Sequence, residues 1–124
     1  MLVIDTSAMI EILKRTDRGI DLFLRLEEEE VHAPHLIDVE VTQVLRRLVL
    51  KKEMTLSEAD GAFEIFGDIP IERHPHTPFL PQIWSMRHNV SAYDASYVAL
   101  SIALGAELLT LDEGLRQAAA RHIH

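Results

Sequence analysis

The chain has 124 residues, which at roughly 100–200 residues per domain predicts one domain over residues 1–124 with no linker. Its 48% hydrophobic residues can build a core, its 26% charged residues argue against disorder, and the lack of cysteine excludes disulfide scaffolds, thiol nucleophiles and Cys-ligated metal. Twelve Lys/Arg against twenty Asp/Glu leave a net charge of −8, which argues against sequence-blind adhesion to nucleic acid through bulk charge. Any polyanionic substrate therefore needs local help, from a bound cation or from the one basic cluster, Arg46, Arg47, Lys51 and Lys52.

Residues Met1 to Ile4 are short, apolar and partly β-branched, and Asp5-Thr6-Ser7 separates them from a helical pattern through Met9, Ile10, Ile12 and Leu13. A second helix restarts at Thr16-Asp17, carries Ile20, Phe23 and Leu24, and can extend into the acidic run Glu27 to Glu30. Val31-His32-Ala33 fits a strand stopped by Pro34, and a long helix follows from about Leu36 to Lys52. Thr55-x-x-Glu58 is a capping-box pattern opening a helix with Ala59, Ala62, Phe63 and Phe66 on one face. Ile69-Pro70-Ile71 reads as a third strand. Pro75, Pro78 and Pro81 break the next segment, which enters a short helix with Trp84 packed inward.

From Val90 to Ala106 the only formal charge is Asp94, so this helix is apolar nearly all round and must be buried. Glu107 to Thr110 reads as a strand, Asp112-Glu113 starts a last helix, and a final strand is expected around Ile123. Strands alternating with helices predict an α/β fold, a mostly parallel central sheet with helices on both faces. No stretch approaches the ~20 apolar residues of a membrane helix, and no signal peptide is recognisable at the N-terminus, so the expected location is cytoplasmic.

Active sites of open parallel sheets lie beyond the carboxyl ends of the strands, where Asp5 and Asp112 both fall. Each has a plainer reading: Asp112 as a helix N-cap, Asp5 as a turn residue. Asp94 also fits a cap pattern with Ser91, yet a lone charge in a buried helix costs several kcal/mol unless paired. On the long helix Ile37, Val41, Val44 and Leu48 form the apolar stripe; Glu40 falls about 60° from its centre and borders the core, with Arg47 two turns above it. Carboxylates gathered within ~4 Å repel by roughly 4 kcal/mol per pair, so such a cluster needs protons or divalent cations. Oxygen-only ligands select Mg²⁺ or Mn²⁺, which polarise a phosphodiester and activate water.

These residues in this order resemble the PIN domain, and more closely the VapC-like toxins of bacterial type II toxin–antitoxin pairs. The resemblance spans nearly the whole chain through Val3-Ile4-Asp5-Thr6-Ser7-Ala8, Val39-Glu40-Val41 leading to Leu45-Arg46-Arg47, Ser91 to Leu100, and Leu109-Thr110-Leu111-Asp112. It implies a PIN-like α/β sandwich whose Asp5, Glu40, Asp94 and Asp112 bind Mg²⁺ or Mn²⁺ for RNA phosphodiester hydrolysis, leaving a 3′-hydroxyl and a 5′-phosphate. Thr6, Ser7 and Thr110 would support the metal shell. It further implies inhibition of translation or growth, a cognate VapB-like antitoxin whose tail blocks the acidic site, and a homodimer.

Within that frame Asp5 and Asp94 are expected to bind the principal ion, Glu40 to orient it or its water, and Asp112 to act as an outer or second-ion ligand. Arg46 and Arg47 are candidate phosphate contacts, against the alternative of a solvated helix face. Glu113-Gly114 after Asp112 departs from the basic or polar pair expected of the family.

Five other readings compete. Arg116 and His122 match the spacing of metal-independent HEPN ribonucleases, which are all-helical and so conflict with the predicted strands. His74-Pro75-His76 offers a transition-metal pair. A receiver domain fails because no lysine follows Lys52, and a haloacid-dehalogenase phosphatase fails because Ser7 stands where its second Asp belongs. A silent partner-binding fold is the remaining alternative.

Overall fold

The computed structural model describes residues 1–121. Four short strands, β1 (Leu2–Ile4), β2 (Val31–Pro34), β3 (Glu72–His74) and β4 (Glu107–Leu109), form one sheet in the order β3-β2-β1-β4, every pair parallel. Successive side chains of a strand point to opposite faces, yet Leu2, Val3 and Ile4 are all buried, so both faces of β1 are covered. The covering helices are α1 (Thr6–Lys14), α2 (Asp17–Leu26), α3 (Leu36–Leu50), α4 (Leu56–Asp68), α5 (Leu80–Ser85), α6 (Ala92–Leu104) and α7 (Glu113–Ala120). The α/β architecture with a parallel sheet is the one expected from the sequence.

The helix ends follow their cap chemistry. Asp5 caps α1, Thr16 caps α2, Ser91 caps α6 and Asp112 caps α7, each side chain accepting from a first-turn N–H. At Thr55 both halves of the capping box with Glu58 form. The nearly uncharged helix α6 is buried from Ala95 through Ser101 and packs across β1, β2 and β4. Helix α2 crosses α1 at Gly19, where a Cβ would stand 2.1 Å from the Glu11 carbonyl oxygen.

Chain order around the sheet positions the site. From β1 the chain steps to β2 and then β3 on one side, whereas β4 returns to the other side of β1. The direction of winding therefore reverses between β1 and β4, and the crevice at their carboxyl ends is the switch point where open α/β sheets bind ligands.

Several local expectations are corrected. The third strand is Glu72–His74, not Ile69-Pro70-Ile71: Pro70 has no N–H, and Ile69 is spent as the C-cap of α4. Because β3 is an edge strand, its residues are polar, and a search for apolar runs places it three residues early. Trp84 is 68% exposed, and its neighbour Ile83 takes the inward position, a swing of about 100° on the helix. The Arg87 guanidinium covers the Trp84 ring from outside at 4.8 Å. Phe63 likewise is exposed, leaving Ala59, Ala62 and Phe66 as the buried face of α4. Helix α2 ends at Leu26, before the acidic run, and Ile20 and Leu24 face outward. The strand expected around Ile123 lies outside the described residues.

Two predictions follow from this packing. Gly19→Ala should destabilise the chain by about 1–3 kcal/mol, because α2 must move off the α1 backbone. Gly61→Ala, where nothing lies within 4 Å, should stabilise α4 by roughly 0.5–1 kcal/mol. Thermal unfolding of the two variants beside the parent checks both signs.

The ion pair of Arg25 on α2 with Glu107 on β4, at 2.8 Å, holds the Glu107 carboxyl below its ordinary value of 4.5. That stabilisation is complete above the unfolded value and is lost as the pH falls through the lower folded one. Both groups are about half exposed, so Glu107→Gln should cost less than about 1 kcal/mol at neutral pH, and its denaturation curve should merge with the parent's in acid.

Candidate active site

Asp5 follows β1 directly, and its N–H donates to the Leu109 carbonyl of β4 at 3.1 Å, which fixes the residue astride the switch point. Its carboxylate is 6% exposed. One oxygen, Oδ1, accepts from the Ala8 N–H at 3.0 Å and the Ser7 hydroxyl at 2.7 Å. Ser7 Oγ in turn accepts from the Leu111 N–H at 3.0 Å, tying the loop after β4 to the loop after β1.

The same pattern recurs at two other acids. Glu40, in the second turn of α3, has Oε1 held by the Tyr97 hydroxyl at 2.6 Å and the Thr6 hydroxyl at 3.0 Å. Asp112 has Oδ1 held by the Leu115 N–H at 3.0 Å, while its own N–H donates to Thr110 Oγ1 at 3.1 Å. In each of the three, no donor among the described residues bonds the second oxygen, and no Lys, Arg or His among the described residues lies within ion-pair distance of any of the four acids.

Asp94 sits in the first turn of α6, its N–H bonded to Ser91 Oγ at 3.1 Å. Burial pushes its carboxyl above the usual aspartate range, and the charges of Asp5, Asp112 and Glu40 push in the same direction against the Ser91 hydroxyl. The four acids from four parts of the chain thus share one electrostatic neighbourhood. They are not drawn tightly together: among the described residues, the group with three ligand atoms mutually within 4.8 Å is His32, Glu72 and His74. Mutual repulsion among uncompensated carboxylates favours the wider spacing. Asp94 and Asp112 line an open cleft of about 640 Å³ with Ser91, Asn89 and Arg121.

The remaining candidates are placed as follows. Thr6 secures Glu40, Ser7 secures Asp5, and Thr110 secures the backbone of Asp112, with Ser7 and Thr110 Oγ atoms 3.4 Å apart. Arg46 and Arg47 are exposed on α3, whose buried residues are Ile37, Val41 and Leu45; of the expected stripe, Val44 and Leu48 are only half-buried and Leu45 takes the inward place. Glu113 is engaged by Arg116 on α7. His122 of the HEPN-like pair lies outside the described residues. His74 meets His32 across the sheet.

Tyr97 is the residue sequence reasoning missed. It lies on α6 one turn beyond Asp94, it is 2% exposed, and its hydroxyl is within 3.0 Å of both Glu40 and Thr6. Burial, with the Glu40 carboxylate beside it, drives the phenol far above its ordinary value, so it stays a hydrogen-bond donor. A tyrosine at i+3 from a lone acid in a buried helix was the available signal, since a buried hydroxyl needs a partner.

The PIN domain family model matches residues 2–121. Ribonuclease VapC1 of Mycobacterium tuberculosis is 39% identical over 118 residues, 94% of this chain and 89% of that protein. VapC ribonuclease Mb0985 of Mycobacterium bovis is 36% identical over 112 residues, 90% and 86% of the two chains. Among solved structures, Mycobacterium tuberculosis VapC20, described as a sarcin–ricin loop cleaving toxin, superposes with a TM-score of 0.69 at 16% identity, covering 95% of each chain; this likeness is one of fold. The chain belongs to the PIN domain family, in its VapC branch.

Two substitutions test the electrostatics without any substrate. Asp94→Asn should raise the thermal midpoint of chelator-stripped protein by a few degrees, by relieving repulsion within the acid cluster. Tyr97→Phe should lower the midpoint, at a stability cost of about 1–3 kcal/mol, because Glu40 loses a donor and keeps its charge.

Proposed function

We propose that the chain is a divalent-metal-dependent endoribonuclease, the toxin of a toxin–antitoxin pair, with residues 1–124 as one PIN domain. The observation that carries this is Asp5: a carboxylate 6% exposed, with three further acids around it and no cation partner among the described residues. Burying such a charge costs several kcal/mol unless something positive compensates it.

The donor set fits a hard cation. Asp5, Glu40, Asp94 and Asp112 offer oxygens only, which suits Mg²⁺ or Mn²⁺. Asp5 and Asp94 would hold the principal ion, with Glu40 and Asp112 as the flanking acids. A divalent cation bound there supplies Lewis acidity toward a phosphodiester oxygen and makes water a better nucleophile near neutral pH.

The chain's own residues provide orientation. Ser7 and the Ala8 N–H hold one oxygen of Asp5 and leave the other without a donor among the described residues. Thr6 and Tyr97 do the same for Glu40, and the Leu115 N–H for Asp112. With one oxygen of Asp5, Glu40 and Asp112 already bonded, little rotamer freedom of these three remains to be lost when the second binds. The exposed Arg46 and Arg47 supply positive charge for RNA phosphates on an otherwise acidic protein. Kinship with proteins named VapC ribonucleases supports RNA as the substrate and a VapB-like antitoxin as the partner. The exposed Val39, Leu80, Trp84 and Tyr93 support apolar association, with a second copy or with that antitoxin. No helix of the described residues is long and apolar enough to cross a membrane, and cellular RNA as target favours a cytoplasmic location.

The experiment is a paired one: Mn²⁺ titration of the stripped chain by calorimetry, and cleavage of total bacterial RNA with and without chelator. Parent protein should bind saturably and cleave; Asp94→Asn should lose both, with cleavage down by at least roughly 100-fold, as expected when a ligand of the catalytic ion is removed. Full cleavage by Asp94→Asn, or cleavage indifferent to chelator, would overturn the assignment.

A further inference from the structure

His32 is 2% exposed, lies at the centre of β2, and has no part in the acid cluster. The parallel register sets His32 opposite Glu72 on β3, and His74 stands two residues beyond Glu72, so all three side chains project from the same face of the sheet. The result is a convergence of donors. His32 Nδ1 is 2.8 Å from His74 Nε2 and 3.5 Å from Glu72 Oε2, and all three ligand atoms fall within 4.8 Å of one another. On the other edge of the ring, His32 Nε2 is 2.7 Å from Glu30 Oε1.

We propose that His32, His74 and Glu72 form a second metal site, selective for a borderline cation of the Zn²⁺ type, which clamps the edge strand β3 to the sheet. Glu30 is the orienting partner. Its carboxylate can only accept, so it takes the Nε2–H of His32 and leaves the lone pair on Nδ1, the atom that faces His74 and Glu72. A carboxylate behind a ligating imidazole is the arrangement that fixes the tautomer and raises basicity in zinc sites. With the His32 ring neutral, His74 Nε2–H is the donor to that lone pair; on binding, His74 would carry its proton on Nδ1 instead, exchanged through solvent.

The spacing is within reach of the ion. Tetrahedral ligands about 2.0–2.1 Å from zinc are about 3.3 Å apart, so the 3.5 Å separation already suits it and the 2.8 Å one has to open by about 0.5 Å. Two neutral imidazoles with two carboxylates balance a divalent charge. The mixed nitrogen and oxygen donors select against Mg²⁺, which the oxygen-only cluster would favour. Access is open, since the Glu30 and Glu72 side chains are both more than half exposed while the ring between them is buried.

The consequence is mechanical. Strand β3 is three residues long and lies at the sheet edge, paired only with β2 among the described strands. An ion bridging β2 and β3 would tether it and stiffen β2, which leads through His35 straight into α3, the helix that carries Glu40.

The test uses the full chain, stripped of metal, in the Asp94→Asn background with excess Mg²⁺, so that any failure of the acid-cluster reading stays separate. Zn²⁺ should bind with one equivalent at a Kd of about 1 μM or tighter and raise the thermal midpoint by several degrees. Co²⁺ in its place should give the intense visible absorption of a four-coordinate site with imidazole ligands. His74→Ala should abolish the binding. Glu72→Gln, at an exposed position that leaves the fold intact, should weaken it at least roughly tenfold, as one lost ligand does. Absence of saturable Zn²⁺ binding, or binding unchanged by Glu72→Gln, would overturn the proposal and leave the pair as a plain hydrogen bond between rings.

Discussion

Asp5 is the constraint on which the rest of the molecule turns. It is the first residue after the central strand β1, its N–H completes the ladder with β4, and its side chain caps α1. A carboxylate at that point must be buried, because β1 is flanked by strands on both sides and covered by helices on both faces. Its hydrogen bonds occupy one oxygen only. What surrounds the carboxylate is more negative charge: Asp5, Glu40 and Asp112 all act on the Asp94 carboxyl.

The same residues therefore serve two ends that look like alternatives on paper. Asp5 and Asp112 are N-caps with the expected bonds to backbone N–H groups, and they are also the acids at the switch point. A cap uses one lone-pair direction of a carboxylate and aligns the helix N-terminus, with its partial positive charge, toward the crevice. Helices α1 and α7 thus contribute to offsetting the cluster's charge while holding its members in place. Capping does not compete with the site; it orients it.

Much of this was legible in the sequence, for reasons specific to each residue. Asp5 and Asp112 follow strands, Asp94 is the only charge in a helix otherwise apolar, and the angle of Glu40 from its stripe places it at the core margin. Each of those inferences needs only local periodicity. Tyr97 escaped because an aromatic in a buried helix reads as core, and its role depends on Glu40, which is 57 residues away. The polar strand β3 escaped for a related reason: its place is fixed by pairing with β2, not by its own hydrophobicity. Trp84 and Phe63 point outward while their neighbours Ile83 and Ala62 point in, a difference of one residue or about 100° around the helix.

The pairing of β2 with β3 also explains why the histidines could not be found in advance as a group. His74-Pro75-His76 is conspicuous as a sequence, yet the partner of His74 is His32, 42 residues away and brought alongside only by the register of two strands. The fold consequently separates two donor chemistries on one small sheet. Oxygen donors gather at the carboxyl end of β1 and β4, nitrogen donors with flanking acids at the β2–β3 edge. Hard and borderline cations are sorted by such differences in donor type more than by raw affinity. A chain that carries both sets can keep a structural ion from occupying the place where phosphodiester chemistry is proposed, because neither ion gains by exchanging sites.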